Sequence, residues 1–300
     1  MTNPAPKGVL AAVLTPLRAD LAPDIKEFVA FCRWLLAHGC TGLAPLGTTG
    51  EANSLSLDQR LRLLEAAREG GVPMEKLIPG TGASALADAV TLTRAAVAMG
   101  CGGALLLPPF YYKNPSEDGL FAFFSEVIER VGDARLRLYL YHFPQMSAVP
   151  IAASLIHRLK QSFGDVIAGL KDSSGDWNYS AHLLKEFPGF GVFSGSEQFL
   201  LDNLRAGGAG CISASTNVSA SLARLVYDQW QSAEAPALQK RVTAARLLLQ
   251  SYPFQSGLKE IVAERTGNPL WRNLLPPLQP LPPTQRTELL ARWAEFTLRV

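Results

Sequence analysis

The chain has 300 residues, 48% of them hydrophobic and 18% charged, with 28 Lys and Arg against 26 Asp and Glu. A net charge of +2 with scattered basic residues implies no polyanion partner, so nucleic acid is not expected to bind. No run of about eighteen apolar residues occurs and residues 1–7 hold no apolar leader, so no membrane span is expected and the cytoplasm is the expected compartment.

From residue 8 onward, strand-like and helix-like segments alternate. Residues 8–16 form the first apolar run. Asp24, with Glu27 three positions on, caps a helix whose apolar face is Ile25, Phe28, Val29, Cys32, Leu35 and Leu36, and Gly39 ends it. Residues 42–46 give a second strand that closes on Gly47-Thr48-Thr49-Gly50-Glu51. Ser56 and Gln59 make a capping box, with Leu57, Leu61 and Leu64 starting the next helical stripe. Strands are expected at 77–80, 104–108, 136–141, 166–170, 192–196 and 210–213. Helices are expected between them at 84–99, 116–130, 151–160, 177–187 and 197–205, with a last one over 222–230.

Eight strand-helix units fit a (β/α)8 TIM barrel better than an open doubly wound sheet. Three further helical segments, near 235–250, 256–266 and 283–299, read as a C-terminal extension. The expected organisation is therefore a barrel over 1–231 and a helical extension over 232–300. The Pro-rich stretch 276–283 carries Leu278 and Leu281 and is expected to be an ordered turn. Cys32, Cys40, Cys101 and Cys211 lack CxxC or metal-ligand spacing and are expected to be buried free thiols.

In such a barrel the chemistry sits at the C-terminal ends of the strands. There the chain carries Thr48 and Thr49, then Tyr111, Tyr141, Lys171, and Gly195 with Ser196. Each has an ordinary alternative. The threonines can be turn residues and the tyrosines core or interface aromatics. Lys171 can point into water or pair with Asp172. Their recurrence at the same end of successive units favours a site. A desolvated lysine favours the neutral amine, which attacks a ketone to form a Schiff base. Paired threonines between glycines offer hydroxyls and close backbone N–H groups for a carboxylate. A tyrosine beside the lysine can relay the protons. The competing segment Gly80-Thr81-Gly82-Ala83-Ser84-Ala85 matches a dinucleotide-binding turn. Gly100-Cys101-Gly102, about twenty residues on, supplies no acid for a ribose.

Together these residues resemble the pyruvate-dependent class I aldolases and lyases, the family that includes dihydrodipicolinate synthase and N-acetylneuraminate lyase. The resemblance is carried by Gly47-Thr48-Thr49-Gly50-Glu51, Leu140-Tyr141-His142-Phe143-Pro144 and Gly169-Leu170-Lys171-Asp172-Ser173-Ser174-Gly175. Pro108-Pro109-Phe110-Tyr111 with 115–120, and Gly210-Cys211-Ile212-Ser213 with Thr216-Asn217, extend it over nearly the whole chain. His142 stands where the family has Asn.

The resemblance implies an imine between Lys171 and pyruvate, with no other cofactor and no metal. It implies that Tyr141 relays protons and that Thr49 links it to Tyr111. In tetrameric members that last tyrosine comes from a neighbouring subunit, so a homo-oligomer, dimer or tetramer, is expected. Thr48 and Thr49 hold the pyruvate carboxylate, and Gly195, Ser196 and the Ile212 backbone line the pocket. In the synthase an arginine after the Tyr-Asn segment binds the second substrate's carboxylate; here that position is Met146, and a thioether cannot replace a guanidinium. The leading expectation is an aldolase or lyase for a 2-keto-3-deoxy sugar acid or other 4-hydroxy-2-oxo acid. The alternatives are the synthase itself, with another residue in the arginine's place, and a non-catalytic carboxylate-binding protein.

Overall fold

Strand alternation organises the centre of the molecule. The computed structural model describes residues 6–296. Within them, β1 (Gly8–Ala11), β2 (Gly42–Leu43), β3 (Ala104–Leu106), β4 (Leu138–His142), β5 (Ile167–Asp172), β6 (Gly191–Ser194) and β7 (Gly210–Ser213) form one parallel sheet. Its order is β2-β1-β7-β6-β5-β4-β3. Helices α1 (Ile25–Ala37), α2 (Leu57–Glu69), α3 (Leu86–Ala98) and α4 (Glu117–Val131) alternate with the early strands. The short α5 (Pro144–Ser147) follows β4, and then come α6 (Ala153–Phe163), α7 (Trp177–Glu186), α8 (Leu200–Arg205) and α9 (Thr216–Asp228). The Asp24 cap and the reciprocal Ser56–Gln59 capping box are both formed.

The sheet is buried on both faces, as parallel sheets are. In β4, Leu138 and Leu140 pack outward against helices, while Tyr139 and Tyr141 point to the interior of the curled sheet. Tyr139 plugs that interior, 5.8 Å from the Phe193 ring. The plug explains a glycine in β5: a Cβ on Gly169 would come within 2.7 Å of the Tyr139 ring. Two residues further along the same face stands Lys171.

The ladder corrects the expected third strand. Residues 77–80 form no strand, only isolated bridges of Leu77 to Leu43 and of Gly80 to Leu105. Pro79 has no N–H to give. Ile78 and Gly80 still donate to Leu43 and Pro45 at 2.8 and 2.7 Å, and Leu105 donates to Pro79 at 2.8 Å. The segment thus lies between the two edge strands, β2 and β3. Arg60 of α2, 5% exposed, donates to the carbonyls of Gly80 and Gly82 at 2.9 and 3.0 Å and holds the turn that follows. Gly80 is required, because a Cβ there would lie 2.3 Å from the Leu46 carbonyl oxygen.

Other boundaries move as well. The first strand ends at Ala11 rather than at 16, although the Ala12 and Val13 N–H groups still donate to Ser213 and Ala44 at 2.8 and 3.2 Å. The helix expected at 197–205 opens with a tight turn, Glu197–Phe199, and the one expected at 222 begins at Thr216. Three helices follow: α10 (Ala235–Gln250), α11 (Phe254–Thr266) and α12 (Pro283–Trp293). Positions 297–299 of the last expected helix lie outside the described residues. These helices share one apolar cluster with β1, α1, α2 and α9. Trp271, fully buried, sits 4.6 Å from Phe31 and donates its indole N–H to Glu27. Cys32, Cys40 and Cys211 are buried free thiols, whereas Cys101 is only half-buried. Burial pushes the Cys40 thiol up to about 12, so it is not a ready nucleophile. No described helix is long and apolar enough to cross a membrane.

Candidate active site

A cavity of about 680 Å³ opens where β2, β4, β5 and β6 end, roofed by α10 and the start of α11. On its floor, β4 and β5 set Tyr141 and Lys171 side by side in register. Lys171 is 5% exposed, and its Nζ lies 4.2 Å from the centroid of the Tyr141 ring. Alternation sends Asp172 to the opposite face. There it accepts from Ser180 Oγ at 2.6 Å and from the Ser174 N–H at 2.8 Å. Lys171 is therefore buried at the cavity wall rather than extended over the surface, and it does not pair with its neighbour in sequence. It makes no side-chain hydrogen bond among the described residues.

The loop after β2 forms the facing wall. Thr15 Oγ donates to Gly50 O at 2.7 Å, and Glu51 and Ala52 donate back to Thr48 and Gly47. Among the described residues, the backbone N–H groups of Thr48 and Thr49 have no acceptor, and neither threonine hydroxyl has a partner. Unpaired N–H groups on a tight turn suit a carboxylate. Behind the loop, Glu51 adopts a left-handed φ of 57°. Its carboxylate is fully buried against Lys259 of α11 and also accepts from the Leu275 N–H at 2.6 Å.

Among the expected site residues, Thr48, Thr49, Tyr141, Lys171, Gly195, Ser196 and Met146 line the cavity. Met146 is 57% exposed and stands at the rim. Ile212 does not line the cavity: it belongs to the fully buried cluster beneath the floor, packed with Tyr139 and Phe193. Tyr111 is likewise absent from the cavity. It is 72% exposed and stacks edge-on to Tyr112 at 5.3 Å. The expected chain from Tyr141 through Thr49 to Tyr111 is thus not formed within one chain.

The C-terminal helices also contribute, with no motif in the sequence to mark them. Arg246, Leu247 and Gln250 of α10, with Phe254 and Gln255 of α11, complete the wall. Arg246 sits in an otherwise ordinary amphipathic helix, so no local signal marks it.

His142 ends β4 just behind the floor. Its Nδ1 accepts from the Ile151 N–H at 3.0 Å and its ring stacks on Tyr179 at 4.2 Å. Burial lowers its pKa from the usual 6.5, with the Asp172 charge opposing. Below about pH 6.5 the unfolded chain takes up a proton that the folded chain resists. This group therefore subtracts stability as pH falls through that range, by at most about 1.4 kcal/mol per pH unit. His142→Asn keeps an acceptor for Ile151 and is expected to flatten this part of the profile. Urea midpoints at pH 7.0 and 5.5 check it; an equal drop in both proteins would exclude His142 as the source.

Comparison with known proteins gives a consistent result. The model of the dihydrodipicolinate synthetase family matches residues 5–294. An uncharacterized DapA-like lyase of Chloroflexus aurantiacus is 36% identical over 298 residues, covering 97% of this chain and 96% of that protein. The structure of dihydrodipicolinate synthase from Agrobacterium tumefaciens superposes with a TM-score of 0.88 at 30% identity, over 97% of this chain and 99% of that one. YagE, a prophage protein of Escherichia coli K12 solved in complex with pyruvate, also gives 0.88, at 25% identity over 97% and 98% of the two chains.

Proposed function

The chain belongs to the dihydrodipicolinate synthetase family, and from that premise we propose that it is a carbon–carbon lyase that joins pyruvate to an aldehyde, or cleaves the product, through an imine on Lys171. The observation that carries this reading is a buried lysine, without a hydrogen-bond partner among the described residues, that lines the same cavity as the unpaired N–H groups of Thr48 and Thr49. The curled sheet with residues 77–81 is read as the family's (β/α)8 barrel.

In this reading the pyruvate carboxylate takes the N–H groups and hydroxyls of Thr48 and Thr49. The Lys171 amine adds to the keto carbon and water leaves. Loss of a methyl proton gives the enamine, whose carbon attacks the aldehyde. Hydrolysis then releases a 4-hydroxy-2-oxo acid. The protonated imine takes up the electrons, so the scheme requires neither metal nor other cofactor. Tyr141 beside the lysine relays the protons. Tyr111 can join that relay only from a second copy, which is why we read the working form as a homo-oligomer. The test is borohydride reduction with pyruvate followed by peptide mass spectrometry. An adduct on Lys171 is expected; none, or one on another lysine, refutes the imine.

Tyr141→Phe is expected to lower turnover on the order of a hundredfold or more, the loss of a proton relay. Pyruvate affinity should change far less, because the carboxylate wall is separate. Unchanged turnover removes Tyr141 from the mechanism.

The aldehyde half favours an uncharged, hydroxylated substrate, because Met146 offers no cation at the rim. The wild type should therefore use aspartate semialdehyde poorly. Met146→Arg should raise its efficiency with that aldehyde, though only partly, since position 146 is 57% exposed and a guanidinium there stays hydrated. Efficient use by the wild type would instead make this chain a 4-hydroxy-tetrahydrodipicolinate synthase, the activity named for several relatives.

A further inference from the structure

The cavity does contain a guanidinium, and its environment bears on which aldehyde it admits. Arg246 reaches from α10 to the ends of β6 and β7, and its side chain is 11% exposed. Its Nη1 donates to Ser213 Oγ at 2.9 Å and to Ser215 Oγ at 3.1 Å, and lies 3.3 Å from Glu197 Oε2. Both serines pass their own protons to that same carboxylate oxygen, at 2.6 and 2.7 Å. Ser219 Oγ lies 3.1 Å from the other oxygen. The Glu197 side chain is 1% exposed and does not line the cavity, whereas Arg246 does. The guanidinium carbon sits 4.5 Å from the Phe254 ring centroid, and Nε is buried without a partner among the described residues.

The arrangement is a charge pair with its negative end sealed in the protein and its positive end at the pocket wall. A cation compensated at contact presents the field of a dipole, which fades faster with distance than that of a free charge. An anionic aldehyde thus meets no net positive charge, while a hydroxyl still meets N–H donors. We propose that Glu197 is a positioning and specificity-determining residue. By holding and neutralising Arg246, it makes the aldehyde half of the pocket prefer hydroxylated, uncharged aldehydes to anionic ones. The inference rests on the pyruvate–aldehyde reading above.

The experiment compares glyceraldehyde with succinic semialdehyde, each with pyruvate, in the wild type, Glu197→Gln and Arg246→Met, with melting curves to establish that each variant is folded. The wild type should prefer glyceraldehyde. Glu197→Gln frees the guanidinium charge and should shift the ratio of catalytic efficiencies toward the anionic aldehyde by about tenfold, mainly through KM. Arg246→Met leaves the carboxylate without its cation and should shift the ratio the opposite way. A purely structural role would move both ratios together or neither. Should Glu197→Gln fail to fold, the direction of the Arg246→Met shift decides. Unshifted ratios, or turnover of neither aldehyde while pyruvate is trapped on Lys171, overturn the proposal. Failure of the wild type to trap pyruvate is a separate result, and it refutes the pyruvate reading itself.

Discussion

Replacing Lys171 by Met is expected to abolish aldol cleavage and condensation, by on the order of ten-thousandfold or more, while leaving the fold intact. The side chain is buried at the end of β5, beside the Tyr141 ring and in register with Phe193. Methionine is unbranched like lysine and apolar, so it fills the same space without a desolvated amine. No charge partner is orphaned, because Lys171 has none among the described residues. What disappears is the only atom in this reading that forms a bond to the keto carbon. Pyruvate coupled to lactate dehydrogenase reads the cleavage direction, and a melting curve reads the fold. Residual turnover within a hundredfold of wild type would mean that the reaction does not pass through an imine on Lys171.

The second large effect is expected at a residue that touches no reacting atom. Lys259 of α11 and Glu51 of the loop after β2 form an ion pair with both side chains fully buried. Lys259 also donates to Asn273 O at 2.8 Å. Burial lowers the Lys259 pKa, and the Glu51 charge opposes that shift. Such a pair is weak evidence for net stability, but removing one member strands the other charge in the interior. Lys259→Met is therefore expected to cost about 3–5 kcal/mol, lowering the melting temperature by about 10 °C. The double variant with Glu51→Gln should recover much of that loss.

The functional consequence follows from the loop. Glu51 is held in a left-handed conformation next to Thr48 and Thr49. Once its anchor is gone, the unpaired N–H groups lose their fixed orientation, and the apparent affinity for pyruvate should fall in the single variant. Calorimetric titration with pyruvate at a temperature where both proteins are folded tests this. A full-affinity, fully stable Lys259→Met would show that the pair is incidental.

Much of the site was legible because its signals are local. A glycine-flanked threonine pair, a tyrosine and a lysine each stand where an apolar run ends. The alternation of a strand fixes that Lys171 and Asp172 face opposite ways whatever surrounds them. Caps are local too, and Asp24 and Ser56 were readable because the groups they satisfy lie three residues away. Other features had no local signature. Parallel strands are apolar on both faces, so periodicity could not say that Tyr139 plugs the interior or that Ile212 lies beneath the floor. Pro79 interrupts a ladder whose existence depends on both neighbours. Tyr111 projects outward because the loop after β3 lies at the surface of this chain, a matter of where the loop lies and not of its residue types. Lys259 meets Glu51 across 208 residues, and Arg246 meets Glu197 across 49. Composition and spacing determined the alternating plan and the identity of the reactive groups, because both follow from contacts within a turn or a strand. The chain's return through α10 and α11 decided what anchors the threonine loop and what faces the aldehyde, because those contacts exist only once the helices have packed.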